Sequence, residues 1–214
     1  MKEINVKGIT YLEKLQGTEK WYWASDYIHG DLYEAEEMFN NNYKIKSNSI
    51  LFVSYPEGKV IEPIKAEDGQ YFGIPIYHDN SIVILLVDFN KKIIKIEIYN
   101  EFASQIINSI SIPLNEVKDC YNLRLETEPL MLTRSGKENL FEIIYPNKIR
   151  FEIESNESFC FKKDNYLYFS AWFEDKDDGY HEEVIIRDTN TGNIIERKHG
   201  SVTVMPDGQK WLLT

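Results

Sequence analysis

Apolar and polar positions alternate two by two along most of this chain, and the alternation is that of strands. Ile149, Phe151 and Ile153 interleave with Arg150, Glu152 and Glu154, while Tyr121, Leu123 and Leu125 interleave with Asn122, Arg124 and Glu126. A period of two puts alternate side chains on opposite faces of a sheet. Ile94, Ile96 and Ile98 likewise alternate with Lys95, Glu97 and Tyr99, which predicts a strand with one wet face. Ile82 to Val87 is apolar without interruption and predicts a strand covered on both faces. Leu51 to Tyr55 and Val60 to Ile64 flank the turn cluster Pro56-Glu57-Gly58 and predict a hairpin. Further strands are expected at Tyr71 to Tyr77, Ile106 to Ile112, Leu140 to Tyr145 and Tyr166 to Phe173, and then at Glu182 to Arg187, Ile194-Ile195, Val202 to Val204 and Trp211 to Leu213. In Tyr166 to Phe173, aromatic residues stand on both faces, so both are expected to be covered in part.

One stretch breaks the pattern. After Trp21, Tyr22 and Trp23, the chain passes Asp26, Tyr27, His29 and Gly30 and reaches Asp31, with Glu34 three residues on. That pair is a capping box, and Leu32, Ala35, Met38 and Phe39 follow at helical spacing. A helix near 32–40 is therefore predicted, with Leu32, Ala35 and Phe39 on the sheet and Glu34, Glu36 and Glu37 outward. Short strands spaced by turns every 8 to 12 residues or so read as mainly β: an antiparallel many-stranded sandwich or propeller-like array with this one N-terminal helix. With no linker rich in Pro, Gly or Ser, residues 1–214 read as a single domain, the arm and helix of 1–42 packed on a β body of 43–214.

Composition narrows the function classes. Hydrophobic residues make up 43% of the chain and 14 are tyrosines, which argues against disorder. The net charge of −11 argues against nucleic acid, because phosphate contacts need a basic patch. Met1 to Leu15 has no apolar core segment and no run approaches the ~20 residues of a spanning helix, so a soluble, cytoplasmic chain without membrane contact is expected. The two cysteines, Cys120 and Cys160, lie in strand-like runs and read as buried free thiols.

Residues Val184 to Leu213 resemble a blade of a WD-repeat or related bacterial propeller. The features that carry this are an apolar strand ending in Arg187-Asp188, the Thr191-Gly192 turn, Ile194-Ile195, His199-Gly200, Ser201 to Val204, and Pro206-Asp207-Gly208 before a last apolar strand. Arg187-Asp188 stands where that family has Trp-Asp, and no equal second copy precedes it. The resemblance implies β-hairpin architecture rather than a closed propeller. In its Ile, Asn and Lys usage the whole chain looks like an uncharacterised family of low-GC bacteria, a resemblance that implies no activity.

Three groups of residues offer chemistry. Trp21, Trp23, Asp26, Tyr27, His29 and Asp31 combine aromatic platforms with carboxylates, as carbohydrate sites do, and two carboxylates can perform acid and base work on a glycosidic bond. The alternative is that the tryptophans anchor the helix while Asp31 caps it. Asp175, Asp177 and Asp178 with Glu182 and Glu183 offer oxygen ligands, but Gly179 occupies the fifth position of the loop and an EF-hand match fails. His29, His78, His181 and His199 have no ligand spacing, and no nucleophile elbow or phosphate loop is present. No catalytic residue, metal or cofactor is assigned. The expected function is a non-enzymatic, acidic interaction module binding another protein, a basic one in the immunity- or inhibitor-type version. Its surface would draw on Trp21, Trp23, Asp26, Tyr27, His29, Glu36 and Glu37. The alternative is a carbohydrate-binding or glycoside-hydrolysing protein using the Trp21–Asp31 cluster with Trp172 and Glu174.

Overall fold

The computed structural model describes residues 1–175, 179–205 and 208–214, which fall into two compact units, Met1–Thr127 and Glu128–Thr214. Among these residues the protein is mainly β, with antiparallel sheets, one α-helix and no closed barrel.

The first unit contains β1 (Glu13–Lys14), β2 (Trp21–Ser25), α1 (Leu32–Asn40), β3 (Ile50–Ser54) and β4 (Val60–Ile61). These are followed by β5 (Gln70–Phe72), β6 (Ile76–His78), β7 (Ser81–Asp88), β8 (Ile93–Asn100), β9 (Gln105–Pro113) and β10 (Arg124–Thr127). Strands β1 to β4 form one meander, while β5, β7, β8 and β9 form a second sheet whose β7 also pairs with β6. The core lies between them: Trp21, Trp23, Ile50 and Phe52 of the first meet Phe72, Ile82, Ile84 and Leu86 of the second. Asn48 stitches the sheets, accepting the Phe72 N–H at 2.8 Å and donating to the Phe72 carbonyl at 3.2 Å.

The uninterrupted apolar run of β7 is buried at all eight positions, as its pattern requires. The far face of this sheet is covered by α1: Leu32 approaches Leu85 across Gly73, and the Phe39 ring stacks on Phe89 at 5.4 Å. The predicted wet face of β8 is an error at one end. Tyr99 is buried in the core beside Trp21 and Ile82, and Glu97 is also buried. The physical reason is that this face of β8 points at the first sheet, so only the stems of Lys95 and Glu97 interrupt an inner surface. Partner strand β9 carries a bulge opposite Ile98 and Tyr99 that leaves Ile107 unpaired and exposed.

The capping box forms as the sequence predicts. Asp31 accepts the Glu34 N–H at 2.8 Å, and Glu34 accepts the Asp31 N–H at 2.8 Å. Gly30, at φ +75°, is required there because a Cβ would collide with the Glu34 carboxylate. Glu36 is a correction. It is buried, not outward, and its carboxylate accepts the Cys120 N–H at 2.6 Å. Helical spacing puts Glu36 one position from Ala35, on the edge of the buried stripe, and the segment around Cys120 covers that edge.

The second unit contains β11 (Leu130–Gly136), β12 (Leu140–Tyr145), β13 (Ile149–Glu152), β14 (Glu157–Lys163) and β15 (Tyr166–Asp175). Then come β16 (Gly179–Asp188), β17 (Ile194–His199), β18 (Ser201–Val204) and β19 (Lys210–Leu213). Strands β11 to β13 pair in order, β14 to β17 form a four-stranded meander, and β18 and β19 form a hairpin. The segment that resembles a propeller blade is thus divided between two sheets. Its Pro206-Asp207 turn lies outside the described residues.

Between the two larger sheets of this unit lies an aromatic core. Phe141 is its centre, with ring centroids 4.9 Å from Phe159, 5.1 Å from Phe169 and 5.4 Å from Phe151. Leu167, Phe169 and Ala171 fill the inner face of β15 as their spacing predicts. The outer face is more open than its aromatics imply: Tyr166 and Trp172 are exposed.

Candidate functional site

The aromatic and carboxylate stretch near α1 is split by β2 into buried and accessible parts. Trp21 and Trp23 point into the core, because alternate positions of a strand face one way and both precede the buried Ser25. The Trp21 indole N–H donates to the Glu101 carboxylate, which also takes the Lys20 ammonium at 3.0 Å. Burial alone would raise the Glu101 carboxyl, but the Trp21, Lys20 and Tyr77 donors together hold it below the usual carboxylate range. Trp23 packs edge-on to the half-buried Tyr27 at 6.2 Å. Both tryptophans are buried, and Trp21 also lines a cavity of about 250 Å³ with Lys20, Glu101 and Phe102.

Asp26 is exposed and accepts the Ser49 N–H at 3.1 Å. His29 is half-buried and tied on both sides. Its backbone N–H donates to the Tyr71 hydroxyl at 3.1 Å, and its Nε2 accepts the Lys46 N–H at 3.0 Å, which leaves the ring proton on Nδ1. The Tyr71 hydroxyl donates in turn to the Gly30 carbonyl at 2.7 Å, and burial pushes its ionisation up to about 12.

These ties fix one side of a shallow cleft of about 400 Å³. His29 and Gly30 form one wall, Glu34, Glu37 and Met38 of α1 the other, and Asn41 and Tyr43 close the end. Tyr43 is 63% exposed. Of the residues expected to bind, His29 and Glu37 come together here, while Trp21, Trp23 and Glu36 do not. Tyr43 and Met38 escape sequence reasoning. The available signal is a tyrosine directly after Asn40-Asn41-Asn42, where a polar loop has no reason to carry a ring.

Trp172 and Glu174 lie on the outer face of β15 in the second unit. Across the ladder Trp172 faces Glu182 and Glu174 faces Tyr180, whose hydroxyl donates to Glu182 at 2.6 Å. Trp172 and Tyr180 are 55% and 64% exposed. The candidate cation loop through Asp177 and Asp178 lies outside the described residues. His181 and His199 stack at 5.9 Å, but among the described residues no group of three or more His, Cys, Asp or Glu side chains stands ready for a metal ion. Cys120 is buried, whereas Cys160 is only partly covered, so the expectation of two buried thiols holds for one of them.

No described helix is long and apolar enough to cross a membrane. No family model matches the chain, and no curated protein does. Among solved structures, a chain of the crystal structure of the mitotic checkpoint complex is similar at 12% identity and a TM-score of 0.39, over 95% of this chain and 74% of that one. A likeness of that size carries no argument about function.

Proposed function

We propose that this protein is a non-enzymatic interaction module that binds a basic segment of another protein, as immunity- and inhibitor-type proteins do. The observation that carries the reading is the cleft beside α1. Two carboxylates, Glu34 and Glu37, share it with the neutral His29 and the exposed Tyr43, on a chain of net charge −11. A Lys or Arg side chain entering there would meet carboxylates at its charged end and a ring along its stem. The field of the whole chain would speed encounter with a positive partner.

Titration with an Arg-rich peptide, set beside an acidic peptide of equal length, tests this. Binding should weaken steeply as salt rises, since exposed charges are screened beyond ~8 Å at physiological ionic strength. Glu37→Gln and Tyr43→Ala should each weaken it, and Glu37→Gln should act mainly on the association rate. Equal binding of both peptides, or of these variants and the parent, would sink the reading.

A second reading, carbohydrate binding, is favoured by the second unit rather than by Trp21 to Asp31. Trp172 and Tyr180 form an exposed aromatic surface with Glu174 and Glu182 beside it. A panel of oligosaccharides that quenches Trp172 fluorescence, with the effect lost in Trp172→Phe, would support it.

A further inference from the structure

Four lysines of this acidic chain line one cavity. In the second unit, the outer face of the β14–β17 sheet and the β18–β19 hairpin enclose a pocket of about 490 Å³. That volume is in the range of small-molecule sites. Its floor is apolar, with Val184 and Ile186 buried and Val202 and Leu212 opposite them. Its walls are aromatic: Phe161 and Tyr168 stack at 4.4 Å and 14°, and Trp211 stands 50% exposed.

These lysines, Lys162, Lys163, Lys198 and Lys210, line the pocket with one acidic residue, Glu128. Across the β14–β15 ladder Lys163 pairs with Tyr166 on the outer face, as Phe161 does with Tyr168, whereas Lys162 pairs with the core residue Leu167. Lys210 is held over the Phe161 ring at 5.4 Å and pairs with Glu128 at 3.0 Å, while Lys198 pairs with Glu196 at 3.5 Å. Lys162 donates to the Asp164 carbonyl, which carries no charge. Among the described residues, neither Lys162 nor Lys163 has a carboxylate at ion-pair distance. An apolar floor, ring walls and uncompensated cations together form a site whose complement is a flat hydrophobic body with a negative head.

We propose that this pocket binds a small organic anion: an aromatic ring bearing a phosphate or a carboxylate. The ring lies against Trp211 and the Phe161–Tyr168 pair, and the anionic head is met by Lys163, on the same face of β14 as Phe161. The site is independent of the cleft beside α1, uses the opposite charge, and stands or falls separately.

The test is calorimetric titration of the full chain with adenosine monophosphate and with indole-3-acetate, each beside its parts: adenosine, inorganic phosphate, indole and acetate. Saturable binding of either whole anion, at least tenfold tighter than of its parts, is expected. Lys163→Gln should weaken that binding by roughly tenfold or more, as loss of a charge-assisted hydrogen bond does. Lys163 lies at the strand end, so the melting temperature should not move. Trp211→Phe should weaken it less, because a ring remains. The proposal is overturned if neither anion binds at millimolar concentration, if a part binds as tightly as the whole, or if Lys163→Gln binds like the parent.

Discussion

Arg187 grips Glu157 with two parallel hydrogen bonds, 2.9 Å from Nε and 2.6 Å from Nη2, in a place where Glu157 is wholly shielded from solvent. The remaining guanidinium nitrogen donates to the Gly192 carbonyl at 2.7 Å, and the charged plane lies 5.7 Å from the Phe151 ring and 5.9 Å from Phe169. Asp188, the next residue, closes the same turn by accepting from the Asn190 and Thr191 N–H groups and the Thr191 hydroxyl. Gly192 is needed because Phe151 occupies the space of a Cβ and φ is +71°. The Arg-Asp pair at 187–188 is thus a fastening between β14, β16 and the turn to β17.

Arg187→Ala should destabilise the protein by about 3–5 kcal/mol, because Glu157 would be left buried and unpaired. Arg187→Lys should recover little, since an ammonium cannot make the paired contact. Glu157→Leu combined with Arg187→Met should cost less than Arg187→Ala alone, as apolar replacement removes both charges together. Urea unfolding of the three variants decides it, and an Arg187→Ala midpoint equal to that of the parent would exclude the fastening role.

Glu36 and Glu37 are adjacent and chemically alike, and they should behave differently. Glu36 accepts the Cys120 N–H from a buried position, so Glu36→Ala leaves a donor unsatisfied at a cost of about 1–3 kcal/mol. Glu37 is exposed, and Glu37→Ala should stay within about 0.5 kcal/mol of the parent. Melting curves that shift equally for the two would place both on the surface.

This pair also marks where the sequence stops being legible. The helix, its cap and the buried strand β7 follow from local pattern, because capping chemistry and an unbroken apolar run need no knowledge of neighbours. The burial of Trp21 and Trp23 is not legible, because strand alternation leaves open which face is inner, and Glu101, some 80 positions away, provides the indole's partner. The lysine pocket is invisible for the same reason. Lys162, Lys198 and Lys210 look like ordinary surface charges until the meander and the hairpin bring them to one cavity.

Acid should loosen the first unit through Glu101. Its folded-state carboxyl titrates below the ordinary value of 4.5, so its ionised form is stabilised by folding. Such a group contributes fully above that ordinary value, and its contribution is lost as pH falls through the lower folded value. Glu101→Gln should therefore be less stable than the parent at pH 7, by about 1–3 kcal/mol for a charge-assisted contact. The gap should narrow as the pH falls below 4.5 toward the lower folded value. Denaturation midpoints for both proteins across this range give the answer, and a gap that does not change with pH would remove Glu101 as its source.

The proposal that residues 1–214 fold as one domain makes a prediction the two compact units render testable. The chain has four tryptophans, two of them (Trp21 and Trp23) in the core of the first unit, and two exposed ones (Trp172 and Trp211) in the second. In a Trp172→Phe/Trp211→Phe variant, fluorescence reports the first unit alone, whereas far-ultraviolet circular dichroism reports strands from both. If unfolding is cooperative across the chain, the two signals should follow one urea transition with a common midpoint and slope. Arg187→Ala, which acts only on contacts of the second unit, should then shift the fluorescence midpoint of Trp21 and Trp23 as far as the dichroism midpoint. A fluorescence transition unmoved by Arg187→Ala, while the dichroism curve splits in two, would mean that the units unfold separately and that the chain is two domains.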